Sequence, residues 1–164
     1  MGMIGGGKDA FIGSIHRHAI GIDGLIELTC GALSINPENA IESGNELFLN
    51  SNRIYTDYKV MLREESTKDK SERIDFVSIV TPNFAHFEPA MMALEYGFNV
   101  VLEKPMTLTL EQAFLLQAKV KETGLRLCLT HTYSGYPAVK HAKKMIADGK
   151  LGKIRKIFVE YPQG

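Results

Sequence analysis

Val100-Val101-Leu102-Glu103-Lys104-Pro105 is a short apolar run that ends in an acid, a base and a proline, with no turn residue between them. Apolar runs of this length suit a strand buried on both faces of a parallel sheet. Such sheets bind ligands just beyond the carboxyl ends of their strands. Glu103 and Lys104 therefore stand where chemistry is usually done, and Pro105 restricts the backbone that aims Lys104. Read alone, the tripeptide is better taken as a solvated lysine paired with Glu103, because the string is short and common. Its neighbours along the chain decide between the two.

Residues 74–81 (IDFVSIVT) form a second buried run, broken by Pro82-Asn83. The spacing of Phe87, Ala90 and Leu94 predicts a helix over 84–96, which Gly97 closes. Past Pro105, Thr109 and Gln112 have capping-box spacing at the head of a helix that ends before Gly124. Residues 125–130 (LRLCLT) read as a further strand, and 136–148 as a further helix. Upstream, residues 1–4 are a short strand followed by Gly5-Gly6-Gly7. Ile12, Ile15, Ala19 and Ile22 give an apolar face to a helix over 14–22, and 25–33 reads as the second strand. Asn36-Pro37-Glu38 is a helix start, with that helix running to about residue 48, and Asp57 caps the next. Residues 64–73 are charged and read as an exposed loop.

Strand and helix alternate throughout, so the fold class is α/β: a doubly wound parallel sheet. After Gly152 the pattern changes. Residues 153–161 (KIRKIFVEY) alternate apolar and polar, as a half-exposed strand does. The expected division is a nucleotide-binding domain over 1–150 and the first strand of a second, truncated α/β domain over 151–164.

Composition narrows the function. The 164 residues carry 19 basic and 19 acidic side chains, so there is no electrostatic footprint for nucleic acid. No apolar run approaches the ~20 residues that span a bilayer, and no basic-then-apolar leader opens the chain. A membrane role and a signal peptide are not expected. Cys30 and Cys128 lie in apolar runs without metal-ligand spacing, which suggests buried free thiols in a reducing cytoplasm and no metal site.

The glycine loop is the first motif. Gly5, Gly6 and Gly7 follow a strand and precede a helix, where glycines let backbone approach a pyrophosphate at the helix N-terminus. With Gly13 the spacing is G-x-G-x5-G, longer than the usual G-x-G-x-x-G. At the end of the second strand a dinucleotide fold commonly places an acid against the ribose hydroxyls. Ser34 stands near that place, able to bond ribose or phosphate, so NAD and NADP both stay open. Thr81, Pro82 and Asn83 put hydroxyl and amide groups at the sheet's carboxyl edge, and His86 follows as a candidate ligand contact or a helix-terminal histidine. His131 and Tyr133, after the fifth strand, are substrate-side or acid–base candidates or hydrogen-bonded scaffold.

Taken together, the Gly5–Gly13 turn, Asp75-Phe76-Val77-Ser78-Ile79-Val80-Thr81-Pro82-Asn83-x-x-His86, Ala93-Leu94-Glu95-Tyr96-Gly97, Glu103-Lys104-Pro105 and Gly149-x-Leu151-Gly152-Lys153-Ile154 resemble the glucose–fructose oxidoreductase / inositol dehydrogenase / MocA family. The resemblance implies an NAD(P)-binding Rossmann domain followed by an α/β domain with an open sheet. It implies hydride transfer to or from a sugar, cyclitol or related polyol, in homo-oligomers. It places Lys104 by the nicotinamide and the reacting hydroxyl, with Glu103 positioning it, and the proton-exchanging residue beyond Gly164. NAD-assisted elimination or hydrolysis of a glycoside, and a non-catalytic nucleotide-binding regulator, are alternatives on the same fold.

Overall fold

Apolar side chains at nearly every position of three short segments leave those segments no face for water. They pair side by side in a sheet covered on both faces. A computed structural model of the chain describes residues 1–8 and 10–162; Asp9 in the glycine loop and Gln163 and Gly164 in the last segment lie outside the described residues. The chain forms two units, Met1–Thr130 and the residues from His131 onward.

In the first unit five strands, β1 (Gly2–Ile4), β2 (Cys30–Ala32), β3 (Phe76–Ile79), β4 (Asn99–Leu102) and β5 (Leu127–Leu129), make one sheet in the order β2-β1-β3-β4-β5. Every pairing is parallel, with Ile4 opposite Ile79, Ile79 opposite Leu102, and Leu102 opposite Leu129. The side-chain alternation of β1 splits the core in two: Ile4 joins Val77, Leu94, Leu102 and Leu116 on one face, while Met3 joins Leu33 and Val80 on the other. Helices α3 (Tyr58–Ser66), α4 (Phe87–Glu95) and α5 (Leu110–Thr123) supply the first cluster, and α1 (Phe11–Gly21) packs Ile12 and Ile20 on the second. This is the doubly wound α/β fold.

The helix starts follow the capping chemistry of the sequence. Asn36 Oδ1 accepts the N–H groups of Glu38 (2.9 Å) and Asn39 (3.1 Å) at the head of α2 (Pro37–Glu46). Thr109 Oγ1 accepts from Gln112 N, while Gln112 Oε1 reaches back to the Leu108 N–H rather than to Thr109 itself.

Several expectations are corrected. The second strand is only Cys30–Ala32, because its partner β1 is three residues long; the Thr29 N–H still reaches the Met1 carbonyl (3.0 Å), and 25–28 find no strand to pair with among the described residues. The buried face of α1 is Ile12, Gly13, His16 and Ile20, not the stripe through Ile15 and Ile22, which are 44% and 80% exposed. Residues 64–73 are not all loop: α3 extends to Ser66, and the Glu65 carboxylate is fully buried, gripped by the Arg53 guanidinium and the Tyr55 hydroxyl.

Cys128 is exposed, since β5 is the sheet's edge strand, whereas Cys30 on β2 is buried. Burial, with the Glu65 charge adding to it, pushes the Cys30 thiol up to about 12. Alkylation at neutral pH is therefore expected to mark the Cys128 peptide and spare Cys30 until the protein is unfolded. Equal labelling of both peptides in native protein, read by mass mapping, would contradict that burial.

The second unit holds a 3-10 turn (Thr132–Gly135) and α6 (Pro137–Ala147). The alternating stretch 153–161 carries no strand: alternation needs a neighbouring strand to pair with, and the described residues offer it none. No helix among the described residues is long and apolar enough to cross a membrane.

Candidate functional site

The strand order reverses at β1, with β2 on one side and β3 on the other. A crevice opens at such a switch point, outside the carboxyl ends of the strands. The Gly5–Gly7 turn leaves β1 there, Thr81-Pro82-Asn83 leaves β3, and Glu103-Lys104-Pro105 leaves β4.

The glycine turn is pinned on one side by Gly5 N–H to Ala32 O (2.9 Å) and Gly7 N–H to Leu33 O (3.0 Å). Gly5 and Gly6 take φ of +79° and +77°, the left-handed region that favours glycine. Gly13, inside α1, lies against Gly6 backbone to backbone: a Cβ on Gly13 would sit 2.4 Å from the Gly6 Cα and oxygen. The long G-x-G-x5-G spacing thus leaves the helix-on-turn contact intact. Arg17, one turn on, donates to the Gly6 carbonyl (2.6 Å).

A dinucleotide's diphosphate fits what these residues offer. The N-cap of α1 is Ala10, which supplies no side-chain cap, and the first turn carries no acid. Among the described residues no side chain caps the first N–H groups of the helix, and the helix dipole favours an anion there. A groove of about 460 Å³ lies beside it, lined by Gly7, Lys8, Ala10, Phe11, Ser14 and Arg17 among others. The Lys8 ammonium stands 2.6 Å from Glu42 and 3.8 Å from Glu46 of α2. Ser34, past the end of β2, accepts the Asn36 N–H (3.1 Å) and is half-buried.

At the end of β3, Thr81 Oγ1 donates to the Ala85 carbonyl (2.9 Å), bracing the short helical turn Asn83–Ala85. Pro82 and Asn83 are exposed, and the Asn83 amide has no partner among the described residues. His86 takes a scaffold position. It is fully buried, and its ring nitrogens lie 2.7 Å from the Pro105 carbonyl and 2.9 Å from the Thr81 carbonyl. Neither nitrogen is left for a cofactor, and the ring ties the turn after β3 to the turn after β4.

Glu103 is the most heavily bonded group of the site. It is 7% exposed. Its Oε1 accepts from Thr130 Oγ1 (2.6 Å) and from His16 Nε2 (3.0 Å), and its Oε2 accepts the Lys104 backbone N–H (3.1 Å). His16 Nδ1 in turn lies 2.9 Å from Ser78 Oγ. One carboxylate thus joins α1, β4 and the end of β5, with Ser78 of β3 behind the histidine. Glu103 does not pair with the Lys104 ammonium. It holds that residue's backbone, and the exposed ammonium has no partner among the described residues. The Lys104–Pro105 peptide bond is cis.

Burial would push the Glu103 carboxyl up, but the hydrogen bonds from Thr130, His16 and Lys104 outweigh it and hold the group below its ordinary 4.5. A carboxylate stabilised in the folded state strengthens the fold at all pH above its unfolded value. That contribution drains away as pH falls through the folded one. The stability gap between wild type and Glu103→Gln is therefore expected to be flat above about pH 4.5 and to close below it. Denaturant titrations across that range check it, and a gap that persists in acid contradicts it.

His131 and Tyr133 belong to the second unit. There the Tyr133 hydroxyl pairs with Tyr161 (2.6 Å), which raises the phenol above its ordinary range, and the His131 carbonyl accepts from Ser134. Both side chains are exposed.

Sequence reading missed His16, Arg17, Ser78 and Thr130. A signal for the first was present: Gly13 must face the sheet to meet the glycine turn, and the residue three positions on shares its face.

Residues 1–131 match the family described as "Oxidoreductase family, NAD-binding Rossmann fold", Gfo/Idh/MocA. The chain belongs to this family. An inositol dehydrogenase homologue from Azotobacter vinelandii, crystallised with NADH and myo-inositol, superposes with a TM-score of 0.90 at 38% identity, covering 94% of this chain and 40% of that one. An uncharacterised oxidoreductase of Bacillus subtilis, YfiI, is 32% identical over 163 residues, 99% of this chain and 41% of its own length. The 2,7-anhydro-N-acetylneuraminate hydratase of Mediterraneibacter gnavus is 35% identical over 83 residues, 51% of this chain and 22% of its own. This Gfo/Idh/MocA chain therefore spans about two fifths of the length of the first of these relatives.

Proposed function

We propose that the intact protein is an NAD(P)-dependent oxidoreductase that moves a hydride between nicotinamide and a secondary alcohol of a sugar, cyclitol or related polyol. The observation that carries this reading is Glu103. A buried carboxylate spends one oxygen on fixing the backbone of the exposed Lys104, at the carboxyl edge of the sheet and one strand from the glycine turn's neighbour β3. Family membership and the myo-inositol and NADH in the Azotobacter relative support the substrate class and cofactor.

The nicotinamide, when bound, supplies the hydride acceptor or donor. The chain's own residues do the rest. The head of α1 and the Gly5–Gly7 backbone would hold the diphosphate, and Ser34 would reach the adenosine ribose or its phosphate. Thr81, Pro82 and Asn83 line the path along the sheet edge. The Lys104 ammonium donates a hydrogen bond to the alcohol oxygen and stabilises the negative charge that develops there as the hydroxyl proton leaves, or, in the reverse direction, as hydride adds to the carbonyl carbon. The hydroxyl proton leaves to a base carried beyond residue 164. On this reading 1–150 is the dinucleotide domain, 151–164 opens the substrate and oligomerisation domain, and His131 and Tyr133 lie towards the substrate. The protein works as a cytoplasmic homo-oligomer.

The likeness to a hydratase favours a second reading, in which bound NAD assists an elimination with no net redox change. A panel of polyols, sugars and anhydrosugars offered to full-length protein with NAD or NADP separates them. Net formation of reduced nicotinamide supports the dehydrogenase. Product without a change in nicotinamide absorbance supports the elimination. Absence of binding by either cofactor at millimolar concentration defeats both.

A further inference from the structure

The Ser78–His16–Glu103–Thr130 chain joins two parts of the site that have separate tasks. Its histidine sits on α1, five residues beyond Phe11, where the helix begins. Its carboxylate sits at the end of β4 and grips the Lys104 N–H. The histidine needs no charge to be satisfied: Nε2–H donates to Glu103 Oε1, and Nδ1 accepts the Ser78 hydroxyl. Ser78 is buried, the His16 and Glu103 side chains are 11% and 9% exposed, and Thr130 is half-buried. Low exposure makes each of these bonds costly to lose. α1 also meets the glycine turn, by the Gly6–Gly13 contact and by Arg17 on the Gly6 carbonyl.

We infer that His16 is a positioning residue that couples the cofactor turn to the catalytic lysine: it transmits the seating of α1 on a bound diphosphate to Glu103 and so fixes where Lys104 is held. The inference rests on the proposed function. A ligand that pulls its phosphates onto the head of α1 fixes the helix. The fixed imidazole then holds Glu103 Oε1, and Oε2 holds the Lys104 backbone. Without His16 the cofactor still finds its turn, but the ammonium loses its aim.

Two measurements on the intact protein test this. The first needs no substitution. Saturating NADH is expected to slow hydrogen exchange of the Lys104 amide by about tenfold or more, because its acceptor becomes fixed. The second compares variants. His16→Ala is expected to lower kcat by about 10- to 100-fold while the NADH Kd moves less than about threefold. His16→Gln, whose amide keeps a donor near the Nε2 position, is expected to recover most of the loss. A merely structural histidine would lower kcat and cofactor affinity together, without rescue by glutamine. Should His16→Ala fail to fold, Ser78→Ala, which frees the far side of the imidazole, is expected to show the same split in weaker form.

Lys104 exchange that is indifferent to bound NADH overturns the coupling. So does a folded His16→Ala, or Ser78→Ala in its place, with unchanged kcat. Either result leaves the oxidoreductase reading standing, which falls if nicotinamide cofactors do not bind or if product forms with no net change in nicotinamide absorbance.

Discussion

Replacing Lys104 by alanine in the intact protein is expected to lower kcat by about 10²- to 10³-fold, the usual effect of deleting one donor aimed at a developing oxyanion. The NAD(P)H dissociation constant should stay within about threefold, because the proposed diphosphate site is at the α1 head, after β1 and two strands from β4. Lys104→Arg keeps the charge but replaces a compact ammonium on a flexible stem by a wider planar fork, and it should not restore the rate. Stability should not change measurably, since the ammonium is exposed and makes no bond among the described residues. Steady-state kinetics with a calorimetric cofactor titration reads all three. A kcat within a few-fold of wild type would remove Lys104 from the chemistry.

Gly13→Ala is expected to damage the fold and the site together. The added Cβ would lie 2.4 Å from Gly6 Cα and from the Gly6 oxygen, and 2.8 Å from Gly6 C. These are backbone atoms that no rotamer change can move. Either α1 lifts off the sheet or the turn deforms. Lifting α1 loosens Ile12 and Ile20 from Met3 and Val80, and stretches His16–Glu103 and Arg17–Gly6 O. Overpacking of this kind costs about 3 kcal/mol, which for a domain of this size lowers Tm by about 6–12 °C. Cofactor affinity should fall more than about tenfold if, as proposed, the deformed turn is where the diphosphate binds. Gly21→Ala is the matched control: it ends the same helix, and its Cβ would meet nothing within 4 Å. It should be neutral or slightly stabilising. A Gly13→Ala protein that melts within about 2 °C of wild type would show that the contact yields more easily than its geometry implies.

The elements that sequence reading located well are those with local causes. Asn36-Pro37-Glu38 and Thr109…Gln112 announce helix starts through their own capping atoms, and the structure has both caps. The 74–81 and 99–104 runs are apolar because both faces of β3 and β4 are covered, which short sequence windows do register. The errors have non-local causes. The inward face of α1 was assigned by counting isoleucines. The true face is chosen by Gly13 meeting Gly6, and by His16 and Arg17 finding acceptors on other elements. Cys128 sits in an apolar string, but only topology tells that β5 is an edge.

The site divides the same way. Glycine turn, Thr81-Pro82-Asn83 and Glu103-Lys104-Pro105 were legible because each follows a recognisable strand. The side-chain partners of Glu103 were not, because His16 and Thr130 are brought to it from 87 and 27 residues away, and Ser78 reaches His16 from 62 residues away. His86 is the reverse case. It belongs to a motif, yet both of its nitrogens face backbone carbonyls, a role no one-dimensional pattern distinguishes from ligand binding.

The most direct test is a crystal structure of the intact protein with NADH and a polyol it accepts. The Lys104 ammonium should lie within about 3 Å of the alcohol oxygen next to the transferring hydrogen, with the diphosphate on the Gly5–Gly7 turn at the head of α1. An ammonium turned away from the substrate, or a diphosphate bound anywhere else, would contradict the assignment.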